Sequence, residues 1–213
     1  GDPGFVQTGW LLLASDEHAP TLRKLVEMQK AVGVNAQLLS TAELGDLQPQ
    51  TNLEDVTCVS YHPDSGYANP VATTVLFAER ARREGAHVYE NTTVTGIGLQ
   101  GGRVHSVTTT AGDILTPAVV NAAGAWAHKI ADMAGVELPI RPTRHQVTVF
   151  QRPYDYWQPA MTYADLPQQS YYRPQGEDMF LVGAANEVFN HDKVDPDTYS
   201  KEADPETLPW FME

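Results

Sequence analysis

The segment from Val119 to Trp126 carries the clearest sign of ligand chemistry. It reads V-V-N-A-A-G-A-W, a β-branched run that passes through small residues into a helix-like stretch. Small residues let a backbone approach another group closely, and the first turn of a helix offers unpaired N–H groups to a polar or anionic ligand. A tight strand-to-helix crossover explains the same residues equally well, so this segment alone leaves both interpretations open.

Two arginines, Arg144 and Arg173, offer a second kind of chemistry, because a guanidinium can hold a carboxylate through two parallel N–H bonds. A surface salt bridge is the simpler role for each. The sequence contains no phosphate-binding G-x-x-x-x-G-K-[ST], no G-x-S-x-G nucleophile turn, no H-E-x-x-H and no dinucleotide-binding G-x-G-x-x-G. Its seven histidines have no ligand-like spacing, so it predicts no metal site.

The composition narrows the partners and the compartment. The 213 residues carry 14 basic and 27 acidic side chains, a net charge of −13, which argues against nucleic acid because phosphate neutralisation needs a basic face. Cys58 is the one cysteine, which excludes an intrachain disulfide, and we expect it to be a buried small hydrophobe. No run approaches the ~20 apolar residues of a membrane span, and no leader pattern is present. The sequence therefore predicts a cytoplasmic location.

The elements that must position these residues follow from periodicity, caps and turn signals. Helices are predicted at 21–32, 41–44, 70–84 and 126–134, and strands at 5–14, 56–62, 86–89, 119–124, 145–150, 161–163, 170–173 and 179–182. The helix from Pro70 is the clearest, because Asn69 is a good N-cap and proline suits the first helical position. A β-meander with a turn at Gly101-Gly102 occupies 93–120. Together these elements predict a mixed α/β and α+β fold that ends in an antiparallel sheet.

A set of ordered motifs resembles one known family. The set comprises Phe5–Leu11, Tyr61–Pro70, Glu84–Ala86, Asn91–Ile97, Val119–Trp126, Leu138–Gln146 and Tyr171–Pro174. In this order the pieces resemble the interior of the D-amino-acid-oxidase-like family of FAD-dependent amine oxidoreductases, which includes sarcosine and dimethylglycine dehydrogenases and glycine oxidase. The resemblance covers most of residues 5–183.

The resemblance implies an architecture of two incomplete domains. Residues 1–62 and 139–213 would belong to an antiparallel-sheet substrate domain, and 63–138 to the middle part of a three-layer FAD-binding domain with its meander. The family begins with a glycine-rich dinucleotide-binding unit and ends with a further FAD-binding segment. The sequence contains neither, so we expect an internal fragment whose full-length parent binds FAD and which by itself binds FAD poorly or not at all. We also expect unpaired sheet edges, which a homo-oligomer is one way to cover.

The resemblance also assigns roles to individual residues. The main chain near Val94 would lie beside the adenine of FAD, and the Ala122-Ala123-Gly124 turn with Trp126 would line the cofactor. His145 resembles a histidine that faces the flavin over the amine substrate, and Tyr171 or its neighbour Tyr172 resembles a tyrosine of the same pocket. The resemblance therefore implies that His145 and Tyr171 are catalytic and that Tyr172, Arg173 and Arg144 bind the substrate. Structural alternatives stay open: a core position for Trp126, sheet packing for the tyrosines, and a hydrogen-bonded strand residue for His145.

The function implied is oxidation of the C–N bond of a small secondary or tertiary amine, such as an N-methylated glycine, by hydride transfer to flavin. Histidine and tyrosine can orient an amine and tune its protonation, while the cofactor supplies the redox chemistry. Two alternatives remain. One is flavin-dependent oxidation of a hydroxy acid or glycerol phosphate on the same scaffold, and the other is a non-catalytic binding module without cofactor. From Glu177 onward the chain has ten acidic and two basic residues, which we interpret as a solvated surface.

Overall fold

A computed structural model describes residues 2–184 and 193–212. Of these, 2–79, 145–184 and 203–212 form one compact unit, called unit 1 here, and 80–144 and 193–202 form a second, unit 2. The strands are β1 Val6–Gln7, β2 Trp10–Ala14, β3 Gln37–Leu39, β4 Cys58–His62, β5 Gly66–Tyr67, β6 Val94–Gln100, β7 Arg103–Thr109, β8 Gly112–Leu115, β9 Val147–Gln151, β10 Thr162–Asp165, β11 Ser170–Gln175 and β12 Met179–Ala184. The α-helices are α1 Ala19–Ala31, α2 Thr41–Leu47, α3 Pro70–Arg83, α4 Ala127–Asp132 and α5 Leu208–Met212.

Unit 1 is built on a seven-stranded sheet with the order β3-β4-β2-β10-β11-β12-β9. The strands pair antiparallel except for β10 and β2, which run parallel. This arrangement confirms the predicted mixed fold and the strand-rich region after Pro139. The predicted strand at 5–14 divides into β1 and β2 around Gly9, whose φ of +75° an L side chain rarely adopts.

Both faces of this sheet are buried at its β2–β4 end. On one face Leu11, Leu13, Val59 and Tyr163 pack with Leu44 of α2. The opposite face packs Ala14 and Cys58 against α1 and is buried there, which confirms the expected environment of Cys58. This end of the sheet is a complete hydrophobic core.

Local caps explain where the helices begin. Ser40 and Glu43 form a capping box at α2: the Ser40 side chain accepts from the Glu43 N–H, and the Glu43 carboxylate accepts from the Ser40 N–H. Asn69 Oδ1 accepts hydrogen bonds from the N–H groups of Val71 and Ala72, both at 3.0 Å, so the predicted cap of α3 is confirmed.

Unit 2 contains the predicted meander as a three-stranded antiparallel sheet, β6-β7-β8. Its turn residues Gly101 and Gly102 both have positive φ, as a tight hairpin requires. Among the described hydrophobic residues of this unit, those that are buried are Val107, Ala127 and Ala131. The unit therefore has a much smaller core than unit 1.

Two predicted strands, 86–89 and 119–124, are not strands in the structure. A strand needs a neighbour for its backbone groups, and in the described part of the chain neither segment pairs with one. Val120 is 91% exposed and Tyr89 is 64% exposed, so apolar side chains of both segments are accessible. The alternative of a core position for Trp126 is wrong, because 44% of this residue is exposed.

None of the helices in the described residues combines the length and the apolar character needed to cross a bilayer.

Candidate functional site

One half of the unit 1 sheet has an accessible side. Because side chains alternate along a strand and directly paired residues share a face, the register puts Tyr171 and Arg173 of β11 on one side with Leu181, Gly183 and Val149 of the neighbouring strands. We call this side of β11, β12 and β9 the open face. Val149 is 50% exposed, in contrast to the buried β2–β4 end.

A tyrosine–histidine pair lies on the open face. Tyr171 is paired with Gly183, which in turn is paired with Val147, two residues beyond His145. The Tyr171 hydroxyl is 2.7 Å from His145 Nε2, and the two rings lie 5.8 Å apart and within 12° of parallel. Which atom donates depends on the imidazole tautomer. The structure thus brings together the two predicted catalytic residues.

Burial keeps the Tyr171 phenol protonated. Desolvation raises the pKa of Tyr171 above its ordinary value, and the positive charge of Arg173 offsets only part of that rise. At neutral pH Tyr171 is therefore a hydroxyl that can donate or accept. His145 is an exposed residue, so its imidazole is accessible to solvent.

Arg173 lies two residues from Tyr171 on the same face and is held by an aromatic ring. Its guanidinium carbon is 4.6 Å from the centre of the Tyr67 ring, and Nη1 donates to the Pro174 carbonyl at 2.9 Å. Tyr67 is on β5, which pairs with β1. The preceding residue, Gly66, lies so close to β1 that a Cβ on it would overlap the Val6 carbonyl. The close β1–β5 approach therefore fixes the ring on which Arg173 stacks.

Tyr172 is on the opposite side of the sheet from Tyr171. Its ring stacks on Tyr163 with centroids 4.4 Å apart and meets the edge of Phe180 at 5.6 Å. Burial raises the pKa of Tyr172 well above its ordinary value. Tyr172 also lines an apolar cavity of about 480 Å³, together with Phe150, Gln151, Pro153, Tyr156, Phe180, Val182 and Phe211.

Arg144 belongs to unit 2. Its Nη1 donates to the Glu202 carbonyl at 3.2 Å, and the side chain is partly buried. Arg144 is thus assigned to unit 2, whereas Tyr171, Tyr172 and Arg173 are in unit 1.

The residues predicted to contact a cofactor lie on accessible parts of unit 2. Val94 begins β6 and is partly buried, whereas Ala122 and Gly124 are exposed. Gly124 has a φ of +53°, and a Cβ there would meet no atom within 4 Å. The space beside Gly124 is open, so part of a cofactor such as FAD fits there close to the backbone.

Trp126 and part of the acidic C-terminal region form a polar cluster in unit 2. Trp126 Nε1 donates to Asp197 at 2.7 Å, and Lys129 Nζ lies 2.8 Å from Asp195 and 2.6 Å from Asp197. These hydrogen bonds raise the pKa of Lys129 and lower the pKa values of both aspartates. The sequence predicts a solvated surface from Glu177 onward, but Asp195 and Asp197 in that region have a specific partner in Lys129.

Sequence reasoning missed Gly183 and Tyr67 as parts of the site. Tyr67 was visible only as a member of the turn motif before α3, and Gly183 lies just beyond the strand predicted at 179–182. Their importance depends on strand register, which no local pattern in the sequence defines.

Comparison with known proteins now defines the class. Residues 1–211 match the family described as DAO, FAD dependent oxidoreductase, and the chain belongs to that family. The predicted resemblance is therefore confirmed.

Individual relatives agree with this assignment. The chain is 35% identical over 193 residues to mitochondrial sarcosine dehydrogenase of Mus musculus, covering 87% of this chain and 21% of that protein. Among solved structures, L-proline dehydrogenase from P. horikoshii superposes with a TM-score of 0.81 at 29% identity, covering 98% of this chain and 55% of that one. Glycine oxidase from Geobacillus kaustophilus gives a TM-score of 0.65 at 26% identity, with coverages of 85% and 48%. The chain thus spans about a fifth to about half of these relatives.

Proposed function

We propose that this chain is part of an FAD-dependent enzyme that oxidises the C–N bond of a small amino acid with a secondary amine, of the N-methylglycine type. The observation that carries the proposal is the open face, where the Tyr171 phenol contacts the His145 imidazole and the Arg173 guanidinium lies two residues away on the same strand as Tyr171. Family membership supports the flavin chemistry. Two of the relatives are named for sarcosine and L-proline, and both compounds are secondary-amine amino acids.

The proposed division of labour follows the predicted domains. Residues 1–62 and 139–213 would form substrate-domain parts, and 63–138 part of an FAD-binding domain. A longer polypeptide, the parent protein, would supply the remaining FAD contacts. The unpaired segments at 86–89 and 117–123 support this, because they expose backbone and apolar side chains that further strands could cover.

Arg173 would hold the substrate carboxylate. A guanidinium presents its donors in a rigid plane that matches two carboxylate oxygens. Stacking on Tyr67 holds that plane still, so less rotamer freedom is lost when the substrate binds. Tyr172 and Arg144 stay predicted as further substrate residues.

His145 and Tyr171 would receive the amine. An amino acid arrives as an ammonium, whereas oxidation needs the nitrogen lone pair. His145 Nε2 can take that proton and pass it to solvent, and the protonated Tyr171 hydroxyl can then orient the neutral nitrogen. A bound FAD would supply the redox chemistry as a hydride acceptor for the carbon next to nitrogen, and the imine product would be hydrolysed by water to amine and carbonyl products.

Val94, Ala122, Ala123, Gly124 and Trp126 would hold the FAD. Their small or partly exposed side chains leave room for the cofactor along the chain.

The test is a substrate panel on the parent protein, purified with its flavin. With an artificial electron acceptor, the protein should oxidise N-methylglycine and L-proline. The rate with N,N-dimethylglycine is measured in the same assay for comparison. Lactate and glycerol 3-phosphate serve as the hydroxyl-bearing controls. Oxidation of a hydroxy acid but no amine, or purification without flavin, would contradict the proposal.

A further inference from the structure

Gly183 occupies the centre of the open face, between the two members of the tyrosine–histidine pair. Tyr171 is on β11 and His145 precedes β9, so the strand between them is β12. For their side chains to meet, the Tyr171 ring has to cross β12. It does so at Gly183, the residue paired directly with Tyr171.

The ring lies where a side chain at Gly183 would be. A Cβ built on Gly183 would overlap Cζ and Oη of Tyr171, and would lie 2.7 Å from Cε1. The overlap involves the far end of a side chain, which can rotate away, and no backbone atom. A larger residue at 183 would therefore displace the ring without preventing the sheet from forming.

We propose that Gly183 is a positioning residue: the absence of a side chain at this point of β12 lets the Tyr171 ring cross the strand and reach His145. The catalytic meaning of the pair rests on the proposed function. Any side chain at 183 separates the hydroxyl from the imidazole while leaving Arg173 on Tyr67.

The direct test is an NMR titration of Tyr171 in the Gly183→Ala variant of the parent protein, prepared with ¹³Cζ-labelled tyrosine. The Tyr171 resonance is identified as the one that is lost in Tyr171→Phe. In the wild-type protein burial raises the pKa of Tyr171 above the ordinary value of about 10. Gly183→Ala should expose the ring and move its titration down toward about 10. An unchanged titration would overturn the proposal.

Kinetics provide the second readout. With N-methylglycine, Gly183→Ala should lower kcat about a hundredfold, the typical cost of a displacement near 1 Å, with little change in KM. The double variant with Tyr171→Phe should be no slower than the slower single variant, because both changes remove the same contact. If the two losses of kcat multiply in the double variant, Gly183 does not act through Tyr171.

Gly98→Ala is the matched control. Gly98 is paired with Ser106 of the neighbouring strand, and a Cβ there would overlap the Ser106 side chain, but it lies in the meander of unit 2. This control should leave both readouts unchanged, and a similar effect from it would count against a specific role for Gly183.

A stability measurement keeps the proposal testable if Gly183→Ala folds poorly. In a Tyr171→Ala background the overlapping ring is gone, so Gly183→Ala should cost no further stability, whereas a loss that persists would overturn the proposal. If the wild-type protein oxidises no amine, the proposed function fails, and the tyrosine titration still reports whether Gly183 places the ring.

Discussion

Unit 1 has a core of buried large apolar side chains, although others such as Phe77 and Trp157 are exposed, whereas the large apolar side chains described in unit 2 are mostly exposed or only partly buried. Leu11 of unit 1 is 0% exposed, and Leu115 of unit 2 is 75% exposed. The difference separates the proposed site into two kinds of residue. Those on the open face are positioned by a sheet with its own core, while Ala122 and Ala123, which are proposed to contact FAD, lie on a segment that pairs with no strand in the described residues. We infer that the open face is preformed.

The largest expected effect comes from a matched pair of leucines. Leu11→Ala should destabilise the chain by about 3 kcal/mol, because it leaves a cavity in a closed core. Leu115→Ala should change the free energy of unfolding by less than about 0.5 kcal/mol, as exposed positions do. Urea unfolding of both variants measures the difference. Equal losses would show that the two units do not differ in this way.

Substitution of Arg173 should weaken substrate binding at the open face. Arg173→Ala in the parent protein should raise KM for N-methylglycine about thirtyfold, the equivalent of about 2 kcal/mol for a lost hydrogen bond to a charged group. The change in kcat should be smaller. Arg103→Ala, on the meander of unit 2, is the control and should leave both constants unchanged. A KM that is insensitive to Arg173 would remove the carboxylate role.

A smaller effect is expected for tyrosines. The buried Tyr163 hydroxyl donates to Gln48 Oε1 at 2.6 Å and lies 3.0 Å from the Thr51 hydroxyl. Tyr163→Phe should cost about 1 kcal/mol, because the buried Gln48 loses its partner. Tyr89→Phe in unit 2, where the ring is 64% exposed, should be neutral. Similar losses of unfolding free energy in Tyr163→Phe and Tyr89→Phe, measured by chemical denaturation, would contradict the contrast between the units.

The same tyrosines predict the direction of alkaline destabilisation. Burial raises the pKa values of Tyr163 and Tyr172, so above about pH 10 the unfolded chain releases phenol protons that the folded chain retains. Stability is therefore complete below pH 10 and falls as the pH rises further. Tyr163→Phe should make that fall shallower, and a stability that rises with pH in this range would contradict the assignment.

Much of the fold was predictable because its signals are local. Asn69-Pro70 predicted the start of α3, and Gly101-Gly102 predicted the hairpin of the meander. The segments at 86–89 and 119–124 have strand-like sequences, yet a strand also requires a neighbour, which the described chain does not provide. Propensity alone could not reveal this.

The site was predictable in part. The family resemblance pointed to His145 and Tyr171, which the structure places 2.7 Å apart. It could not decide between Tyr171 and Tyr172, although alternation along β11 puts only one of them on each face. Gly183 and Tyr67 contribute through register and stacking, which bring together residues far apart in the sequence.

The central claim is that the open face binds an amino acid whose amine is oxidised by flavin. The most direct measurement is anaerobic mixing of the flavin-loaded parent protein with N-methylglycine or L-proline, following loss of the oxidised flavin absorbance. The account predicts rapid bleaching in the wild type and in Arg103→Ala, and slow bleaching in Arg173→Ala and Tyr171→Phe. No bleaching by either amine, or equal rates in all four proteins, would contradict it.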